Sequence, residues 1–125
     1  MSAFLAIGLG ATLGAWLRWG LGLWLNPKFA VLPYGTLAAN LLGGYLIGVA
    51  IAYFAQHPGL SPEWRLFAIT GFLGALTTFS TFSAEIFTLI GRGQLAWALG
   101  TASAHLFGSL ACTALGVWSY SQFRG

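Results

Sequence analysis

A chain of 125 residues that is 58% hydrophobic and 6% charged cannot coat a soluble core, because a soluble domain carries roughly 25% charged residues. The class is therefore an integral membrane protein built of helices. The net charge is +3, and the five basic residues Arg18, Lys28, Arg65, Arg92 and Arg124 are scattered with no basic patch that would suggest nucleic-acid binding; the single cysteine, Cys112, excludes an internal disulfide or a Cys-rich metal site.

Four stretches supply the roughly 20 apolar residues that a spanning helix needs. They form a single transmembrane domain over residues 1–125. The first runs over about 3–25 and contains Arg18. No basic leader or small-residue cleavage site precedes it, so it is expected to be a retained helix. The second runs over about 32–54, opened by Pro33 and closed before Pro58 and Gly59. The third runs over about 63–90. Ser61, Pro62 and Glu63 predict its start: a capping serine, a proline in the first turn, and an acid at the positive end of the dipole. The fourth runs over about 94–120. The links are short: Asn26, Pro27, Lys28; residues 56–60; and Gly91, Arg92, Gly93. They leave no room for an extramembrane domain or a nucleotide site.

Orientation follows the Lys/Arg count of the flanking loops. One side receives Arg65 and Arg124. The other receives Lys28 and Arg92, with Arg18 toward that end of its helix. Two against two or three gives no clear preference, which predicts insertion both ways round; the alternative is a fixed orientation set by something subtler. Small residues recur every fourth position in three helices: Ala6, Gly10, Gly14; Thr36, Asn40, Gly44, Gly48, Ala52; and Gly100, Ala104, Gly108, Cys112, Gly116. Such stripes let backbones approach in lipid.

The third helix is unusual. Five of the seven residues Thr77, Thr78, Phe79, Ser80, Thr81, Phe82 and Ser83 are Ser or Thr, and they follow Gly71 and Gly74. Hydroxyl side chains compete for backbone hydrogen bonds. Two readings stay open: a break near mid-membrane that frees carbonyls as ligands for a small cation such as Na⁺, or an unbroken helix whose hydroxyls bond back to it. Phe79 and Phe82 share a face at helical spacing, between hydroxyls. Aromatic ring edges are positive, so edges beside hydroxyl donors form an expected lining for an anion.

Asn40 is the one amide within a span, and its NH₂ group offers two donors. In the fourth helix His105, Ser109 and Thr113 lie on one row, a polar track. Arg18 and Glu85 are intramembrane charges near helix ends, either structural or tuning a vestibule. There is no carboxylate pair, metal-ligand cluster, phosphate loop or nucleophile arrangement, so no enzyme is expected. Function classes left are a channel, a proton-coupled multidrug transporter, or an assembly subunit. The transporter needs a membrane carboxylate, typically in the first helix, where this chain has only Arg18.

Residues 10–19 (Gly-Ala-Thr-Leu-Gly-Ala-Trp-Leu-Arg-Trp), residues 33–43 (Pro-Tyr-Gly-Thr-Leu-Ala-Ala-Asn-Leu-Leu-Gly) and residues 71–85, which hold the Thr/Ser/Phe run, resemble the Fluc (CrcB) family of fluoride channels. The resemblance covers essentially the whole chain. It implies four helices with the third broken, in an antiparallel, dual-topology homodimer of the cell (inner) membrane. It implies passive fluoride export through two pores that lowers cytoplasmic fluoride. A structural sodium ion is implied at the dimer centre, on the backbone carbonyls of Gly74 and Thr77. Phe79 and Phe82 resemble the family's phenylalanine box, Asn40 its pore asparagine, Ser80, Thr81 and Thr113 its polar lining, and Arg18 its first-helix arginine.

Overall fold

The structure, a computed structural model, describes residues 2–25 and 33–124. The first link, with Lys28, and the expected start of the second helix at residue 32 lie outside the described residues. Every regular element among the described residues is helical. Helix α1 spans Ala3–Leu25 and α2 spans Tyr34–Gln56. Helix α3 begins as Pro62–Arg65, is wound as a π-helix over Leu66–Leu73, and closes with Gly74–Leu76. Helix α4 spans Phe79–Gly91 and α5 spans Leu95–Phe123. Counting α3 and α4 as one 30-residue crossing, four segments are long and apolar enough to cross a membrane. At 1.5 Å per residue, the 23 residues of α1 reach roughly 34 Å, sufficient for a hydrocarbon core of about 30 Å.

Helix ends differ from expectation where polar residues continue the helix. Helix α2 runs on to Gln56, whose Oε1 accepts from Arg124 Nη1 at 3.1 Å and ties it to the end of α5. Helix α5 itself continues to Phe123, because Ser121 and Gln122 contain nothing that stops a helix. Ser61 does not cap α3 with its side chain. Its hydroxyl is drawn instead to the Glu63 carboxylate two residues on. Between α4 and α5 the chain turns at Gly93, whose φ of 74° belongs to the left-handed region that glycine enters freely. Its N–H donates to Ile90 O at 3.0 Å and that of Gln94 to Leu89 O at 2.9 Å, satisfying carbonyls that a helix end leaves open.

Packing is by pairs: α1 lies mainly along α3, and α2 along α5. The small-residue stripes are the seams. A Cβ at Gly10 or Gly14 would run into the Phe67 or Phe72 carbonyl of α3. On the other pair, a Cβ at Gly48 would strike the Thr113 carbonyl and one at Gly116 the Tyr45 carbonyl. Helix backbones in lipid gain from this proximity, since the surrounding chains supply no hydrophobic drive. The two pairs meet around a small buried cluster of Ala39, Leu73 and Leu76. That cluster places α2 directly against the junction of α3 and α4.

Candidate functional site

Thr77 and Thr78, between α3 and α4, are extended, with φ, ψ of −84°, 155° and −149°, 117°. An extended residue turns its own N–H and C=O to the same side, as in a strand. Asn40 of α2 exploits this. Its Oδ1 accepts the Thr78 N–H at 2.8 Å and its Nδ2 donates to Thr78 O at 3.1 Å. A carboxamide can close that ring on an extended residue. It cannot do so on a helical one, whose N–H and C=O point in opposite directions along the axis.

Two hydroxyls complete the step. Thr77 Oγ1 donates to Leu73 O at 2.9 Å, beside the Thr77 N–H at 3.1 Å. Thr78 Oγ1 accepts the Thr81 N–H at 3.1 Å and so caps α4, the usual task of a threonine at that position. These bonds release carbonyls. In a continuous helix the Thr78 N–H would serve Gly74 O and the Thr81 N–H would serve Thr77 O; both donors are spent on side chains. A third carbonyl, Ala75 O, accepts from Arg18 Nε of α1 at 3.0 Å. Arg18 is therefore half-buried and engaged with backbone. Gly74 is exposed, beside the groove described below. Its carbonyl and that of Thr77 are hard oxygen donors suited to an alkali cation, and among the described residues no group of three or more His, Cys, Asp or Glu side chains offers a competing metal site.

Beside the step lies a groove of about 670 Å³, lined by Asn40, Thr77, Thr78, Phe79, Phe82, His105, Ser109 and Thr113 together with aliphatic side chains. The rings of Phe79 and Phe82 meet edge to face, with centroids 5.4 Å apart. Phe82 also lies 4.5 Å from the ring of His105. Phe79 is 79% exposed, so one wall of the groove opens outward. Most lining donors are already committed. Both N–H groups of Asn40 are used, one on Thr78 O and one on His105 Nδ1 at 2.9 Å. Thr113 Oγ1 donates toward Gly44 O and Ser109 O, at 2.9 and 3.0 Å. The Ser109 hydroxyl, also in the lining, donates to no other described residue. Ser80 and Thr81 do not line this groove; Ser80 is exposed, with its hydroxyl 3.3 Å from that of Thr78.

His105, buried, also borders a second cavity of about 240 Å³, with Tyr34, Glu85, Trp97 and Thr101. There Thr36 Oγ1 donates to Glu85 Oε2 at 2.6 Å. The other carboxylate oxygen, Oε1, and the Thr101 hydroxyl are buried without a hydrogen-bond partner. Thr36 and Thr101 escaped the sequence reading as site residues. The usable signal for Thr36 was its place one turn before Asn40 on the same stripe. Thr101 carried the same signal more weakly, one turn before His105.

Comparison with known proteins adds an independent line. The family described as "CrcB-like protein, Camphor Resistance (CrcB)" matches residues 5–117. A protein of Thiobacillus denitrificans named "Fluoride-specific ion channel FluC" is 62% identical over 121 residues, 95% of this chain and 96% of that protein. Proteins of the same name from Pseudomonas putida and Cupriavidus pinatubonensis are 60% and 62% identical, covering 100% and 94% of this chain and 98% and 93% of their own lengths.

Proposed function

The chain belongs to the CrcB-like family, and on that premise we propose that it is a fluoride-selective channel of the inner membrane. One observation carries the reading: proteins named as fluoride-specific ion channels match this chain almost end to end at about three residues in five. The geometry agrees with an uncharged anion path. Fluoride sheds tightly held water only where close donors and positive ring edges replace it. The groove offers the Ser109 hydroxyl and the rings of Phe79 and Phe82, and among the described residues no lysine or arginine lines it to hold the ion too firmly for release.

The finer reading is a symmetric pair of chains in opposite orientations, with export running passively down the fluoride gradient. Two features support pairing. The groove is unwalled at Phe79, and Gly74, which also lines it, is exposed. An antiparallel two-fold partner would wall the groove and bring a second Gly74 and Thr77 near the first. The extended step at Thr77 and Thr78 then serves as the break of a mid-membrane helix. Gly74 and Thr77 carbonyls would hold a structural sodium ion there, whose positive charge supplies the electrostatic attraction that the uncharged groove lacks. The chain's own contribution is the release of those carbonyls by Asn40 and Thr78.

Fluoride efflux from proteoliposomes loaded with fluoride, followed with a fluoride electrode, tests the reading. Rapid efflux with no matching chloride flux is expected. Well-folded protein that releases no fluoride would sink it. Cation export coupled to protons and lost in Glu85→Gln would support the multidrug-transporter class instead.

A further inference from the structure

The Asn40 side chain is fixed at three points, and they determine its chemistry atom by atom. The Thr78 N–H can only donate, so the Asn40 atom 2.8 Å from it is the oxygen. The other terminal atom is then the NH₂, 3.1 Å from Thr78 O and 2.9 Å from His105 Nδ1. An NH₂ can only donate. His105 Nδ1 must therefore be an acceptor, and the imidazole carries its proton on Nε2. His105 is buried, with its ring held against Phe82 at 4.5 Å. Thr78 sets which way the α2 amide faces, and the buried α5 imidazole braces it there through a third bond. Turned over, that amide would present NH₂ to the Thr78 N–H and oxygen to Thr78 O, and both bonds would become clashes of like groups. With its amide unavailable, the Thr78 N–H would regain its helical acceptor, Gly74 O.

We infer that His105 is a positioning residue which, by bracing Asn40 on Thr78, keeps the Gly74 carbonyl free to ligate the central cation. The assignment rests on the sodium site proposed above. It also makes the anion groove and the cation site share one amide.

The test is thermal unfolding of the purified protein in detergent, read by tryptophan fluorescence, with Na⁺ titrated against N-methylglucamine at constant ionic strength. A cation bound only by the folded state raises the melting temperature by mass action. In the wild type a Na⁺-dependent rise is expected. His105→Phe keeps the ring against Phe82 and removes the acceptor; its half-maximal Na⁺ concentration should rise on the order of tenfold, the scale of one lost buried hydrogen bond. His105→Asn restores an acceptor near the Nδ1 position and should stay within about threefold of wild type. A His105→Phe protein that melts lower at every Na⁺ concentration with an unchanged midpoint has lost only packing, and that result overturns the inference. Loss in His105→Asn equal to that in His105→Phe overturns it as well. Should His105→Phe fail to fold, His105→Leu takes its place, with the same tenfold expectation and the same disproof. A wild type indifferent to Na⁺ removes the sodium site itself, a distinct outcome, and the inference falls with it.

Discussion

Asn40 spends both donors and its acceptor inside the chain, which changes what it can offer a passing anion. A fluoride ion beside it must displace a bond to Thr78 or His105, whereas the Ser109 hydroxyl and the phenylalanine edges need no such exchange. Phe82→Ile should therefore cut fluoride efflux at least about tenfold, a loss of the order of one aromatic contact pair in a desolvated site. Size-exclusion chromatography should show the assembly unchanged. Undiminished flux in both Phe82→Ile and Phe79→Ile would place the rings outside the path. At this scale the sequence was informative where one residue type stood out in an apolar span: Asn40, Glu85 and Arg18 each proved engaged in a specific bond. It was uninformative about partners, because Thr36 meets Glu85 across 49 positions and nothing in a periodic pattern encodes that distance. Ser61 shows the opposite failure. A good capping residue lost its task to an adjacent carboxylate, a competition between two local bonds that residue preference alone does not rank.

Among the elements, the seam of α2 and α5 depends on missing side chains. Gly48 leaves no room for a methyl group against the Thr113 carbonyl, so Gly48→Ala must push the two backbones apart. A destabilisation of about 1–3 kcal/mol is expected, measured as a lower melting temperature in detergent, together with loss of the Thr113-to-Gly44 bond that crosses the same seam. Gly100→Ala is the control, since nothing lies within 4 Å of its added atom. These seams were legible as four-residue periods. The path of the backbone between α3 and α4 was not, because a Ser/Thr-rich run supports both outcomes equally: its hydroxyls cap a new helix, as Thr78 does, or bond back to the old one, as Thr77 does. Only the amide from another helix separates the two.

For the whole molecule, the near-balance of basic residues across the two faces agrees with the proposal that the chain enters the membrane in both orientations. Cys112 is the one native cysteine, so a Cys112→Ala background carrying Gln94→Cys gives a single reporter in the α4–α5 turn. An impermeant maleimide applied to intact cells should label about half of it, with the remainder labelled after lysis, as expected for opposed insertion of equal populations. Labelling confined to one side contradicts an antiparallel pair.

The ring that Asn40 closes on Thr78 has a consequence for biogenesis. A segment leaving the translocon before α2 and α5 have docked on it has no external amide to satisfy an extended Thr78, and in hydrocarbon the inexpensive course is to satisfy every peptide group within the segment. Residues 62–91 would then enter the bilayer as one unbroken rod. The two-residue step would be written into that rod late, by neighbours already in place. The proposed sodium site would then exist only in a correctly assembled molecule, and a misassembled chain would expose no released carbonyls in the bilayer.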